Sequence, residues 1–279
     1  MGIALALASA LIFGAADFAG GIASRRNSET YPVVWLSQCM GLLTVLALAP
    51  LVDASALTGG DLAWGAVAGI IGGSGLLFFY RALAVGTMSI VSPVTAVIAA
   101  VVPVVVGVAQ GERPAILAAF GIVLGIGSLA MFGGGDHGDV PNGVLRSLAP
   151  AIIAGVGFGA YFALVAQTHH GSGLWPLVAS RATSCTLLGI GAFARRAPIR
   201  IARDARLTLV IAGAGDITAN ALFLLASREG DLAIVGVIAA LYPASTLVLA
   251  RFVLGERLVR LHQSALVLAT VAVILIAVA

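Results

Sequence analysis

Long apolar runs, separated by short polar stretches, occupy almost the whole chain of 279 residues. A helix needs about 20 apolar residues to cross a hydrocarbon core of about 30 Å. Ten runs of roughly that length can be marked: 3–23, 31–51, 62–82, 88–109, 115–133, 147–167, 174–193, 207–227, 232–252 and 263–279. Because the runs are long and continuous, not short and alternating, they predict membrane-spanning helices and argue against a β-barrel.

The pattern occurs twice. Residues 80–113 align with residues 224–257 at a constant offset of 144, which superposes Ala82 on Ala226. The same offset pairs positions outside that block, namely Pro32 with Pro176, Gly69 with Gly213 and Phe79 with Phe223. Each half holds five predicted spans, so the second copy should enter the bilayer inverted relative to the first. An inverted repeat is typical of alternating-access transporters.

The repeat defines the domain organisation. We expect a first five-helix repeat at 1–133, a linker loop at 134–146 and a second, inverted repeat at 147–279. The first run lacks a basic segment before it, and its counterpart at 147–167 is internal, so we do not interpret it as a cleaved signal peptide.

Composition supports the membrane assignment, since 60% of residues are hydrophobic and 10% are charged, against about 25% charged in soluble domains. There is no GxxxxGK[ST] phosphate loop, so ATP drive by this chain is unsupported. The two cysteines, Cys39 and Cys185, fall inside spans, and we interpret them as small packing residues instead of a disulfide, metal pair or redox site. We expect no cofactor, no metal and no nucleic-acid partner.

The basic residues, all arginines, are distributed unevenly between the loops. The loops after odd-numbered spans hold Arg25, Arg26, Arg146, Arg195, Arg196, Arg200, Arg203, Arg206, Arg257 and Arg260. The loops after even-numbered spans hold Arg113 and Arg228. Because arginine-rich loops stay in the cytoplasm, the charges predict that both termini lie outside.

Short motifs recur in the same order in both halves. They are Phe13-Gly14 and Phe158-Gly159 in the first spans, Ala82-Leu83 and Ala226-Ser227 after the third, Pro93, Pro103 and Pro243 in the fourth, and the turns Gly111-Glu112-Arg113 and Gly255-Glu256-Arg257. In this order, over nearly the whole chain, they resemble the EamA-type permeases of the drug/metabolite transporter superfamily. That family has an arginine in the second helix of each half. Here it is kept in the second half as Arg181, whereas Ser37 occupies the aligned position in the first half. Asp17 also departs from the family, which usually has an apolar or aromatic residue there.

The resemblance implies an all-α membrane protein of ten transmembrane helices, arranged as two inverted five-helix repeats around a central cavity. It also implies a multi-pass protein of the prokaryotic cytoplasmic membrane that transports small metabolites, often by export of amino acids or related compounds. The expected partners are a small-molecule substrate, protons as a candidate co-substrate, and membrane lipid. The resemblance favours both termini inside, against the charges. Substrate identity, transport direction, coupling and oligomeric state stay open.

Two other functions are compatible with parts of the sequence. A lipid or lipid-linked head-group flippase would use the same scaffold. An intramembrane enzyme is the remote alternative, because Gly72-Gly73-Ser74-Gly75 looks like a rhomboid-type Gly-x-Ser-Gly. A serine nucleophile needs a base within reach, and the four histidines fall in loops or at span ends. A packing surface is the simpler interpretation of that glycine-rich tetrapeptide.

Two charged residues fall deep inside spans and are candidates for the substrate or proton pathway. Asp216 lies near the middle of the eighth span, with Asn220 on the same face at i+4, and a charge there is costly and marks pathways by default. Arg181 in the seventh span could bind a carboxylate or phosphate in bidentate fashion. Structural alternatives stay open: a helix-locking pair for Asp216, and for Arg181 an ion pair with Asp216 or snorkelling to the interface.

Asp17 and several aromatic and hydroxyl side chains complete the candidate pathway. Asp17 fits a protonation site or an interfacial residue near Arg25 and Arg26. Tyr161 and Tyr242 lie deep in their spans, and Tyr242 shares one face with Ser245 and Thr246, which favours a wetted helix face. Trp35 and Tyr80 lie near span ends, which favours the interfacial aromatic belt.

The repeated turns have a structural interpretation. Gly111 and Gly255 permit a tight turn, and Glu112 and Glu256 suit the positive end of the next helix. The prolines in the fourth spans remove backbone hydrogen bonds, which is compatible with either a gate or a packing kink.

Overall fold

A computed structural model describes residues 2–27, 29–109, 116–133, 143–165, 167–194, 201–229, 242–255 and 260–278. Ten α-helices and no strand account for the regular structure of these ranges. The helices are α1 Gly2–Arg25, α2 Thr30–Leu48, α3 Gly59–Val85, α4 Met88–Ala109, α5 Ile116–Gly133, α6 Gly143–Val165, α7 Trp175–Ala194, α8 Arg206–Glu229, α9 Tyr242–Leu254 and α10 Arg260–Val278. Three short 3₁₀ helices cover Ala49–Leu51, His170–Ser172 and Arg203–Ala205.

Six of these helical segments are long and apolar enough to cross a membrane: Gly2–Arg25, Thr30–Leu51, Gly59–Val85, Arg146–Val165, Trp175–Ala194 and Arg203–Ala226. Shorter apolar helices cover Ile90–Ala99, Tyr242–Leu254 and Gln263–Ala272. The chain is therefore an integral multi-pass membrane protein, as predicted. The predicted fold-marking residues Gly111, Glu112 and Glu256 lie outside the described residues, while Gly255 directly follows α9 with a φ of 66°.

The outer surface of the bundle is apolar. Phe193 is 89% exposed, Phe252 is 81% exposed and Leu11 is 63% exposed. Apolar surface in water costs about 25 cal/mol per Å², and hydrocarbon removes that cost. The exposed side chains therefore mark the lipid-facing surface.

The most extensive helix contacts join helices from different halves of the chain. Helix α1 packs on α8 and α3 packs on α6. Helix α2 packs on α8 and α3 on α7, while α1 packs on α9 and α4 on α6. In the repeat, α1 to α4 correspond to α6 to α9. The α1–α8 contact is therefore equivalent to the α6–α3 contact, and the other two pairs of contacts are equivalent in the same way. The core therefore lies between the halves.

Contacts between loops define the two ends of the bundle. At one end, Asn27 after α1 accepts a hydrogen bond of 3.0 Å from the Ala202 amide, and the Arg26 Nη1 atom lies 3.6 Å from a carboxylate oxygen of Asp204. At the other end, the Ala56 amide after α2 donates to the Gly171 carbonyl at 3.1 Å after α6. The loop after α1 thus meets the loop after α7, and the loop after α2 meets the loop after α6.

Glycines allow the backbones of the two halves to touch beside the polar residues. A Cβ atom at Gly69 of α3 would meet the backbone of Ser180 in α7, and one at Gly213 of α8 would meet the backbone of Ser37 in α2. These are equivalent contacts in the two halves, because the offset of 144 pairs Gly69 with Gly213. Small residues at such positions permit close helix–helix approach in lipid.

Candidate functional site

Arg181 of α7 is the centre of a buried polar cluster. Its Nη2 atom forms an ion pair with the carboxylate of Asp216 in α8, which was one of the alternatives left open for Arg181. Its Nη1 atom donates a hydrogen bond of 2.5 Å to the side-chain oxygen of Gln38 in α2. Arg181 is 7% exposed, and its guanidinium is bound on two sides. The snorkelling alternative is therefore wrong.

The remaining contacts of this cluster come from three helices. Ser184 of α7 donates to the same Gln38 oxygen at 3.1 Å. Asn220 is buried and donates its side-chain amide to the Asp216 backbone carbonyl at 2.8 Å, one turn back along α8. Such hydrogen bonds satisfy polar groups that would otherwise be costly to bury.

Asp17 lies inside the bundle and not at its surface. It is 7% exposed and is close enough to Asp216 for the two carboxyl groups to interact electrostatically. The alternative of an interfacial residue beside Arg25 and Arg26 is therefore wrong. The side chain of Arg25 donates instead to the backbone carbonyls of Leu83 and Gly86. Among the described residues, no side chain or amide donates a hydrogen bond to Asp17.

Tyr161 of α6 faces the same cluster. It is 7% exposed, and it lies within electrostatic range of Arg181 and Asp216. Its hydroxyl lies beside Ser180 but makes no hydrogen bond of normal geometry to a described residue. The Arg181 Nε atom is likewise buried without a partner in the described part of the chain. Two buried hydrogen-bond donors are thus left without a partner in the part of the chain that the structure describes.

Tyr80 of α3 is a correction to the sequence analysis. Its position near a span end favoured the interfacial belt, but it is 1% exposed and its ring lies against Gly20 of α1. It is within electrostatic range of both Asp17 and Asp216. Trp35 is half-buried and donates its indole N–H to the Cys185 carbonyl at 3.0 Å.

The face of α9 that carries Tyr242 packs on α1. The Ser245 hydroxyl lies 3.3 Å from the Ala10 carbonyl, and the Thr246 hydroxyl donates to the Gly14 carbonyl at 3.2 Å. The rings of Tyr242 and Phe13 are 6.3 Å apart. The Ser245 and Thr246 hydroxyls thus contact carbonyl groups of α1, while the wetted face stays a prediction.

The glycine-rich tetrapeptide of α3 is a packing surface. A Cβ atom at Gly73 would lie 2.6 Å from the Cβ of Ser184. The Ser74 hydroxyl is exposed and donates to the Ile70 carbonyl at 2.8 Å within its own helix. The described residues also hold no group of three or more histidine, cysteine or acidic side chains placed to hold a metal ion.

Gln38 is the residue that the sequence analysis missed. A glutamine in the middle of a predicted span, directly after the Ser37 that aligns with Arg181, was a usable signal. Its partner could not be read from spacing, because the two residues are 143 positions apart.

Comparison with known proteins agrees with this architecture. The family model described as the EamA-like transporter family matches residues 1–134 and 146–278, as two repeats. No match was found among curated proteins. A solved structure described as "Crystal structure of protein" is similar to this chain with a TM-score of 0.65 and 15% sequence identity, and the alignment covers 96% of this chain and 94% of that one. At this identity the likeness concerns the fold alone.

Proposed function

The chain belongs to the EamA-like transporter family, and from this premise we propose that it is a secondary transporter for a small metabolite. In this proposal it works by alternating access in the cytoplasmic membrane of a prokaryote and exports an amino acid or a related compound. Its ten helices all cross the membrane, as two inverted five-helix repeats at 1–133 and 147–279 around a central cavity.

The loop contacts support the inverted arrangement. The loops after α1 and α6 are equivalent in the two halves, yet the first meets the loop after α7 and the second meets the loop after α2. Equivalent loops therefore lie at opposite ends of the bundle, which is the arrangement that an odd number of spans per half requires. Transporters of this kind bind substrate at the interface between the repeats.

The observation that carries the proposal is the set of polar groups in the cluster that lack a hydrogen-bond partner among the described residues. Arg181 Nε and the Tyr161 hydroxyl are buried donors without a described acceptor. Asp17 is a buried carboxyl without a described donor. The two donors suit a substrate carboxylate, and Asp17 suits a substrate ammonium group. A zwitterion such as an amino acid satisfies both.

The ion pair gives substrate binding a route to the conformational change. Gln38 belongs to the first half, and Arg181 and Asp216 belong to the second. A substrate carboxylate that binds Arg181 competes with Gln38 and Asp216 for the guanidinium. Loss of the Gln38 contact loosens α2 from α7, and so biases the equilibrium between inward-open and outward-open states. Tyr242 and Ser245 on α9 would flank the pathway next to α1.

Protons have two candidate carriers in this scheme. Asp17 and Asp216 lie within electrostatic range of each other, with Arg181 as the buried cation beside them. Two carboxylates and one guanidinium leave one negative charge in excess, which either a proton or a substrate cation can neutralise. Protonation and substrate binding would then compete at Asp17.

Counterflow in proteoliposomes tests the proposal. Vesicles preloaded with one unlabelled amino acid are assayed for uptake of the same labelled compound, over a panel that includes amino-acid esters and deaminated analogues. We expect uptake of a zwitterion and loss of uptake when either charged group is removed. Asp216→Asn should abolish the signal, and Asp53→Asn, at an exposed carboxylate, should retain it. Absence of counterflow together with scrambling of a labelled lipid would favour the flippase.

A further inference from the structure

The two cysteines of the chain meet at the seam between its halves. Cys39 lies near the middle of α2 and Cys185 near the middle of α7, and the Sγ atoms of these free thiols are 2.8 Å apart. A disulfide requires an S–S distance of about 2.05 Å, so the two sulfur atoms would have to approach each other by less than 1 Å. The sequence favoured small packing residues over a disulfide or redox site at these two positions.

We propose that Cys39 and Cys185 form a redox modification site that closes as a disulfide between the two halves of the protein. The reacting partner is a lipid-soluble quinone. Two thiols and one quinone give one disulfide and one quinol. Both S–H bonds break, the S–S bond forms, and the two electrons and two protons pass to the quinone.

The depth and exposure of the pair favour an oxidant dissolved in the bilayer. Each thiol lies about 14 Å or more from the start of its helix, from the rise of about 1.5 Å per residue, which places it near the middle of the hydrocarbon. Both cysteines are half-buried and so keep some exposed surface. Nearby positions on the same helices, Leu43 and Leu187, are 61% and 41% exposed. A quinone moving in lipid can reach this seam, whereas polar thiol reagents do not enter the hydrocarbon.

A disulfide here would also hold the cluster that contains Arg181. Gln38 directly precedes Cys39 and Ser184 directly precedes Cys185, and these two neighbours share a hydrogen bond of 3.1 Å. Closure therefore fixes α2 against α7 at the contact that alternating access must change. The bond also joins positions 146 residues apart, which restricts the unfolded chain and raises the unfolding temperature.

Intact-mass measurement on the full chain in lipid nanodiscs tests the site. The protein is exposed to a short-chain ubiquinone analogue, denatured, and alkylated with N-ethylmaleimide. Because the chain holds two cysteines, the reduced protein takes two maleimide groups. We expect the oxidised monomer to take no maleimide group and to be lighter than the unalkylated reduced chain by two hydrogens. After reduction with dithiothreitol and a second alkylation it should take two groups. Its unfolding temperature should be higher than that of the reduced protein.

The matched control moves one thiol by a single position. In the double variant Cys39→Ser, Met40→Cys the chain keeps two thiols, but position 40 faces α8, because a Cβ at Gly213 would lie 2.9 Å from the Met40 Cβ. This variant should take two maleimide groups after the same treatment. Three results would overturn the proposal: two groups on oxidised wild type, a disulfide between two chains instead of within one, or closure of the control as readily as wild type.

Discussion

Gln38 of α2 and Arg181 of α7 are joined by a hydrogen bond of 2.5 Å from the guanidinium Nη1 to the amide oxygen. The same guanidinium pairs with Asp216 of α8. One arginine is therefore bound by both halves of a repeated structure, and the position equivalent to it in the first half is Ser37. The two halves therefore make equivalent backbone contacts but carry different polar side chains. The polar cluster lies at the contact between the halves.

The ion pair should behave as a coupled unit when it is dissected. Removing one partner of a buried pair leaves the other buried and unpaired, at a cost of about 3–5 kcal/mol. Asp216→Asn and Arg181→Ala should each lower the unfolding temperature and abolish flux. The double variant should be less destabilised than the sum of the single variants, yet still inactive. Thermal unfolding and counterflow on all three variants measure these effects.

A surface pair serves as the control for that cycle. Arg26 and Asp204 are 3.6 Å apart with side chains 46% and 66% exposed, and exposed pairs contribute about 0–1 kcal/mol. Arg26→Ala and Asp204→Asn should leave the unfolding temperature nearly unchanged. Full flux in the Arg181, Asp216 double variant would reduce the buried pair to a structural role.

The glycine contact between α3 and α7 should be intolerant of a methyl group. A Cβ at Gly69 would overlap the Ser180 backbone, which cannot move without shifting α7. Gly69→Ala should destabilise the protein by about 1–3 kcal/mol, the usual cost of overpacking. Gly127→Ala on α5 should be neutral, because nothing lies within 4 Å of its Cβ position. Equal unfolding temperatures for the two variants would contradict the close approach of α3 to α7.

Hydrophobic patterning predicted the helices well but missed their polar ends. The third span was expected at 62–82, whereas α3 covers Gly59–Val85. The extra N-terminal turn is held by Thr58 and Asp61, whose side chains bond each other's backbone amides in a capping box. Such polar residues lie outside an apolar run, although they belong to the helix.

The chemistry of the site was only partly readable from sequence. A charge near the centre of a span is recognisable because placing it in hydrocarbon costs free energy. Asp216 and Arg181 could therefore be named as candidates, with an ion pair between them as one interpretation. The burial of Tyr80 could not be predicted, because it depends on Gly20 of a different helix. Cys39 and Cys185 likewise meet only because α2 packs on α7.

Orientation in the membrane is open to direct measurement. The charges of the loops predict that the end carrying Arg26 and Asp204 is cytoplasmic. In a background with Cys39→Ser and Cys185→Ser, Asp204→Cys should resist an impermeant maleimide in intact cells. Ser55→Cys, exposed in the loop after α2 at the opposite end, should react readily. The reverse labelling pattern would place both termini inside.

Asp17 can be tested for a role in proton transport against a purely structural role. An aspartate deep in the membrane costs about 2.5–3.5 kcal/mol on the lenient insertion scale, and the nearby Asp216 carboxylate adds to that cost for the ionised form. Asp17→Asn removes the charge at nearly constant shape. It should therefore increase the free energy of unfolding by up to about 3 kcal/mol and raise the unfolding temperature. If Asp17 carries the transported proton and pairs with the substrate ammonium group, the variant should lose both accumulation driven by a pH gradient and counterflow exchange. A residue kept only for structure would give the opposite pair of results, with a lower unfolding temperature and unchanged proton-driven accumulation. Thermal unfolding combined with pyranine-monitored proton flux, with Asp53→Asn as the matched carboxylate control, distinguishes the two roles.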